Sequence, residues 1–96
     1  MLLLAAHLAA LYAGPLAVPA ELGGVAARVF FDAPGSVEDG MVLESPSLRA
    51  QASTWPTAAA GQVVELSLPE GQRSFRIREI LPLDDGAERR FVLAAL

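Results

Sequence analysis

The sequence predicts a mainly β chain: a small antiparallel β-sandwich or barrel of about six strands, with a short N-terminal helix. Three observations lead there. Residues 61–94 read as three strands separated by two turns with recognisable turn residues. Residues 25–32 alternate apolar and polar side chains with the period of a strand. Among the strands, no connection is long enough to hold a crossover helix, so neighbouring strands run antiparallel. At 96 residues the chain makes one domain, with a modest core and a large wetted surface.

Residues 1–20, MLLLAAHLAALYAGPLAVPA, carry no charged side chain unless His7 is protonated, and every acid and arginine lies from Glu21 onward. The composition therefore divides the chain into an apolar N-terminal helix and linker, 1–20, and a β-domain, 21–96. The first segment admits three readings. As a cleaved signal it has an apolar run and a small-residue end at Val18-Pro19-Ala20, but it lacks the basic start of such signals. As a membrane span it is too short, since about 20 apolar residues are needed and Gly14-Pro15 interrupts the run. As a helix over 2–13 it places Leu4, Leu8 and Leu11 on one face and Ala5, Ala6, Ala9 and Ala13 largely on another. A helix without a polar face requires cover, either from the domain's own core or from a neighbouring subunit that the small alanines let approach.

Gly14-Pro15 ends that helix, Pro19 restricts the linker, and Gly23-Gly24 turns the chain into the first strand, 25–32. There Val25, Ala27, Val29 and Phe31 face one way and Ala26, Arg28, Phe30 and Asp32 the other. Phe30 on the mixed face implies that both faces are partly covered. Residues 33–46 are irregular, with a short strand expected at 41–44. Within them Gly35, Ser36, Val37, Glu38 and Asp39 form a polar, acidic loop, a loop tip or a contact loop. A strand over 48–55 stops at Pro56, and 57–60 form a turn or loop. A hairpin follows, 62–68 and 73–81 joined at Pro69-Glu70-Gly71 and ended by Pro82. Asp84-Asp85-Gly86 then turns the chain into the last strand, 89–94, with Phe91 and Leu93 on one face.

Little in this pattern points to chemistry. The chain has no cysteine, which excludes disulfides, thiolate metal sites and thiol nucleophiles. Its one histidine, His7, cannot supply a histidine-rich metal site and has no acid within helical reach. Asp84-Asp85 read as turn residues, the serines lack a nucleophile motif, and no phosphate-cradling glycine pattern occurs. No catalytic, cofactor or metal residues are therefore assigned. All seven basic residues are arginine against eleven acids, net −4, which offers no obvious basic face for nucleic acid. Arg76 and Arg78 share a face of the longest strand near Arg73 and Arg89-Arg90, but Glu65, Glu70, Glu79 and Glu88 lie among them. Cross-strand ion pairs on a solvated face account for that pattern. Strict alternation puts Glu79 beside Phe75, Ile77 and Leu81 on the apolar side, so either the strand bulges there or Glu79 meets an arginine at a subunit boundary.

The order of these elements resembles a known family. A helix, the lead-in Val18-Pro-Ala-Glu-Leu-Gly-Gly24 to Val25-Ala-Ala-Arg-Val-Phe-Phe-Asp-Ala-Pro34, then Gly61-x-Val-Val-Glu-Leu66, and finally Phe75-Arg-Ile-Arg-Glu-Ile-x-Pro82 with Asp85-Gly86, is similar to the small head-tail joining proteins of long-tailed phages and prophages, typified by the lambda-type head-tail connector. The likeness spans about residues 14–95. It implies a non-enzymatic virion protein without cofactors: a ring homo-oligomer, a hexamer in the virion, lying between portal or adaptor and tail-terminator proteins, with segments that order on assembly. It implies placement in the virion neck after assembly in the host cytoplasm, with no membrane. If DNA passes through the ring without sequence-specific contacts, a negative lumen would let it slide. The candidate interface residues are Leu4, Leu8, Leu11, the 35–39 loop, Arg76, Arg78 and Glu79. Two other functions remain open from residues alone: a secreted or periplasmic β binding domain with 1–20 as signal, and a small nucleic-acid-binding barrel.

Overall fold

The computed structural model describes residues 10–33, 37–38, 41–42, 45–83 and 86–96. The described strands are β1 (Val18–Leu22), β2 (Val25–Asp32), β3 (Val37–Glu38), β4 (Met41–Val42), β5 (Ser47–Gln51), β6 (Val63–Leu68), β7 (Gly71–Leu83) and β8 (Glu88–Ala95). Six of them close into an antiparallel barrel in the order β1-β2-β5-β8-β7-β6, while β3 and β4 pair only with each other. The fold is thus mainly β, and the sequence's two alternatives resolve to the barrel.

The sixth barrel strand is not the one the sequence suggested. Residues 41–44 were expected to supply it and 14–20 to be linker, whereas β1 is a strand that pairs with β2 on one side and with β6 on the other. Its pairing closes the sheet. Ala20 and Leu22 point into the barrel and are buried, while Pro19 and Glu21 face out. Pro19 is tolerated because β6 pairs only with Ala20, Glu21 and Leu22, so the missing N–H falls beyond that ladder. Leu22 opposes Val25 across a two-residue turn in which Gly23 and Gly24 have φ of 59° and 82°. Two successive positive φ values suit the right-handed twist of a tight hairpin, and glycine adopts them without steric cost.

The remaining strands follow the expected order with shifted ends. β2 occupies the predicted span. β5 stops at Gln51 instead of reaching Trp55, because Ala52 N donates to Ala87 O at 3.0 Å and Thr54 N to Gln51 O at 3.0 Å, which turns the chain. β7 runs through Pro82, with Pro82 opposite Arg89 and Leu83 opposite Glu88. The proline is allowed there because β6 pairs with β7 only from Gly71 to Arg76. Pairing with β8 slips between Ile77 and Glu79. This bulge is one of the two outcomes the sequence offered for Glu79: it turns the carboxylate outward, exposed, and moves Leu81 out as well, where it is 39% accessible.

Inside the barrel Val29, Leu48, Val64, Leu66, Phe75, Ile77, Phe91 and Leu93 are essentially inaccessible, one or two from each of β2, β5, β6, β7 and β8. Each contributes about 1.5–3 kcal/mol relative to exposure. Trp55 packs against this core, edge-on to Phe91 with ring centroids 5.8 Å apart, and its indole N–H donates to Val25 O at 3.0 Å. Arg89 donates to Trp55 O and its guanidinium lies 5.4 Å from the Phe91 ring centre.

Candidate functional site

The walls of the barrel, not its interior, carry the features that packing alone does not explain. The interior is filled by aliphatic and aromatic side chains. Outside it, one depression of about 340 Å³ is lined by Tyr12, Ala13, Ala26, Ala27, Arg28, Gln51 and Thr54, a set without a paired nucleophile and base. Among the described residues no group of three His, Cys, Asp or Glu side chains could hold a metal ion, and no helix is long and apolar enough to cross a membrane.

The first feature is how the N-terminal segment is held. Residues 10–12 are helical and 13–16 turn, with Gly14 N donating to Leu11 O at 3.0 Å. Arg28, on the outward face of β2, grips this end: its Nε donates to Tyr12 O at 3.0 Å, and its Nη2 to Gly14 O at 3.0 Å and Ala17 O at 2.8 Å. A guanidinium satisfies the orphan carbonyls of a helix C-terminus and complements its dipole. Tyr12 adds a second anchor. Its ring lies tilted against Phe30 with centroids 4.6 Å apart, and its hydroxyl donates to the carboxylate of Glu88, which is only 6% accessible. The described end of the helix therefore covers the outer wall of β2 and reaches β8; Tyr12 and Ala17 are buried but lie outside the interior core. Tyr12→Phe should cost about 1–3 kcal/mol, the price of removing a donor from a buried carboxylate, seen as a lower urea midpoint with an unchanged slope.

The second feature is apolar. Leu11 (46% accessible) and Leu16 (82%) remain exposed although their neighbours are clamped. With Ala10, Gly14, Pro15 and Phe30 they line a groove of about 180 Å³ made entirely of apolar residues and glycine.

The third is a set of exposed charges. Glu21 of β1 lies directly opposite Glu65 of β6, both on the outer face and both exposed. Like charges in that position repel. Arg76 and Arg78 are exposed on the outer face of β7, Arg76 between Val63 and Ala94 of the flanking strands. The ion pairs expected among these groups do not form: among the described residues Glu21, Glu65, Glu79, Arg76 and Arg78 make none, and Glu65 instead accepts from Gln72 Nε2 at 3.1 Å. An ion pair does join Arg49 Nε to Asp32 Oδ2 at 3.9 Å, beyond hydrogen-bond reach. The arginines of the last strands do not converge into one stripe either, since Arg89 is committed to Trp55 O and Phe91 while Arg76 and Arg78 face out.

Of the residues singled out by sequence, Leu11 thus falls in the apolar groove, and Arg78 and Glu79 together with Val92 line a depression of about 300 Å³ at the bulge. Val37 and Glu38 belong to β3, paired with β4, so part of the segment read as a loop is a two-stranded hairpin. Leu4, Leu8, Gly35, Ser36 and Asp39 lie outside the described residues. Arg28, Tyr12 and Glu88 were not singled out. Their partners are backbone carbonyls and residues up to 76 positions apart, which leave no local signature.

The described residues thus form a small closed antiparallel barrel with an N-terminal segment strapped to its outer wall and an apolar groove beside that strap. The family model described as Phage Head-Tail Attachment protein matches residues 1–93, and the chain belongs to that family. It is a structural protein of the phage head-tail junction, which works with other phage head and tail proteins. No curated protein matches the chain.

Proposed function

We propose that the chain is a ring-forming joint of the virion neck, seated between the portal or adaptor of the DNA-filled head and the terminator of the tail, a hexamer through which DNA passes without sequence-specific contacts. The observation that carries this is the family match across residues 1–93, which takes in both the N-terminal segment and the barrel. Assembly takes place in the host cytoplasm. The contact elements are the apolar N-terminal segment with Leu4, Leu8 and Leu11, the acidic 35–39 segment, and Arg76, Arg78 and Glu79.

Deleting the chain from a phage that encodes it tests the reading. Electron microscopy should show DNA-filled heads and free tails, unjoined, and adding the purified protein to that lysate should restore joined particles. Normal joined virions without the protein would overturn it.

A further inference from the structure

We propose that residues 1–9 of one copy occupy the apolar groove of the next copy, the groove that Leu11, Leu16 and Phe30 line with Ala10, Gly14 and Pro15. The inference rests on the ring reading and says what joins the copies. Residues 1–9, MLLLAAHLA, carry no charge unless His7 is protonated, and their four leucines require cover. The described residues that fill the barrel interior all lie from Val18 onward. The chain leading back from there, Ala17 to Tyr12, is fastened to the outer wall, so residues 1–9 join it at a point outside the barrel. The groove matches them in chemistry, since its described lining is apolar side chains and glycine, with Leu11 and Leu16 left exposed. A chain's own residues 1–9 are badly placed to fill it. They join at Ala10, itself part of the lining, and residues 10–12 are helical, so the chain enters along the helix axis. Folding back over Leu11 and Leu16 would need a reversal for which 1–9 hold neither glycine nor proline. A second copy reaches the groove without that reversal. Donor segment and receiving groove are different surfaces, so the contact is heterologous, and repeated around a closing rotation it generates a ring. Arg28 and Tyr12 are then positioning residues: by fixing the chain at Tyr12, Gly14 and Ala17 they hold the groove's walls in place, which lowers the ordering cost of binding.

The absence of cysteine permits a direct test with the full-length chain. Leu4→Cys and Leu16→Cys are made separately, each folded as judged by circular dichroism, and treated with a short bis-maleimide at high protein concentration. The mixture of the two should give a cross-linked dimer of unlike chains, while each alone should give little. Leu11→Glu added to the Leu16→Cys chain, a change at an exposed position of the groove, should lower the yield about threefold or more. In native mass spectrometry the unchanged chain should form species of three or more copies, and Leu4→Glu with Leu8→Glu, whose segment can no longer enter an apolar groove, should stay monomeric. No cross-linked product in the mixture, a yield indifferent to Leu11→Glu, an unchanged chain that stays monomeric or stops at two copies, or association that survives Leu4→Glu with Leu8→Glu would each overturn the insertion. The first of these would point to a chain's own segment, or another protein, as the occupant. All of them would leave the junction role intact, because the deletion experiment reads it independently.

Discussion

Arg28→Ala is expected to release the N-terminal segment from the barrel wall and to lower stability by about 2–4 kcal/mol, the loss of three charge-assisted hydrogen bonds moderated by solvent that reaches the freed carbonyls. The accepting oxygens belong to Tyr12, Gly14 and Ala17, so the loss is concentrated in one segment. Hydrogen exchange should show this. The amides of Gly14 and Ala17, which donate to Leu11 O and Gly14 O, should lose protection, while those of the β6–β7 ladder keep theirs. Arg28→Lys separates charge from geometry: a single ammonium cannot serve three carbonyls spread over six residues, and it should recover less than half of the loss. Unchanged protection at Gly14 and Ala17 in Arg28→Ala would mean that Tyr12 alone holds the segment.

The second large effect lies in the interior. Phe91→Ala should cost about 3–5 kcal/mol, because the ring is 1% accessible, is flanked by Trp55 and faces a closed barrel that cannot collapse into the vacancy. A small domain has roughly 5–15 kcal/mol in total, so this one change removes a large share. Trp55 is the only tryptophan, and the edge of the Phe91 ring contact makes its emission a local reporter. The expected result is a lower urea midpoint together with altered native-state fluorescence. Phe30→Ala, on the outer wall against Tyr12 and Arg49, should destabilise less, since Phe30 is only partly buried. Equal losses at the two positions would place the outer strap on the same footing as the core.

Much of the barrel was legible in the sequence, and the reason differs by element. β2 and the β6–β7 hairpin alternate over enough residues for a strand period to stand out, and their turns carry glycine or proline where the backbone needs them. The bulge at Glu79 was legible as a conflict, since a carboxylate in phase with Phe75 and Ile77 must be re-aimed or paired. β1 was not legible. Five residues including Pro19, with Ala20 and Leu22 buried and Val18 only partly buried against the core, fall below any local strand signal. They form a strand because Leu66 and Val64 stand opposite on β6, a pairing more than 40 positions away in sequence. The candidate surface divides in the same way. Leu11, Arg76, Arg78 and Glu79 were readable as apolar or charged residues on outward positions, whereas Arg28 reads as an ordinary solvated arginine until the carbonyls it grips are in place.

By itself the sequence determined that the chain is mainly β and antiparallel, that it holds no thiol and no histidine-rich metal set, and that its likeness is to head-tail joining proteins. These follow from local periodicity, composition and the order of motifs. Only the tertiary structure decided that the sheet closes, that β1 is the strand which closes it, and that the N-terminal segment is strapped to the outer wall. It alone set Glu21 and Glu65 directly opposite each other on adjoining strands. Those are consequences of pairings between distant strands, whose free energy comes from burying Ala20 and Leu22 against a common core and from satisfying backbone groups at a helix end.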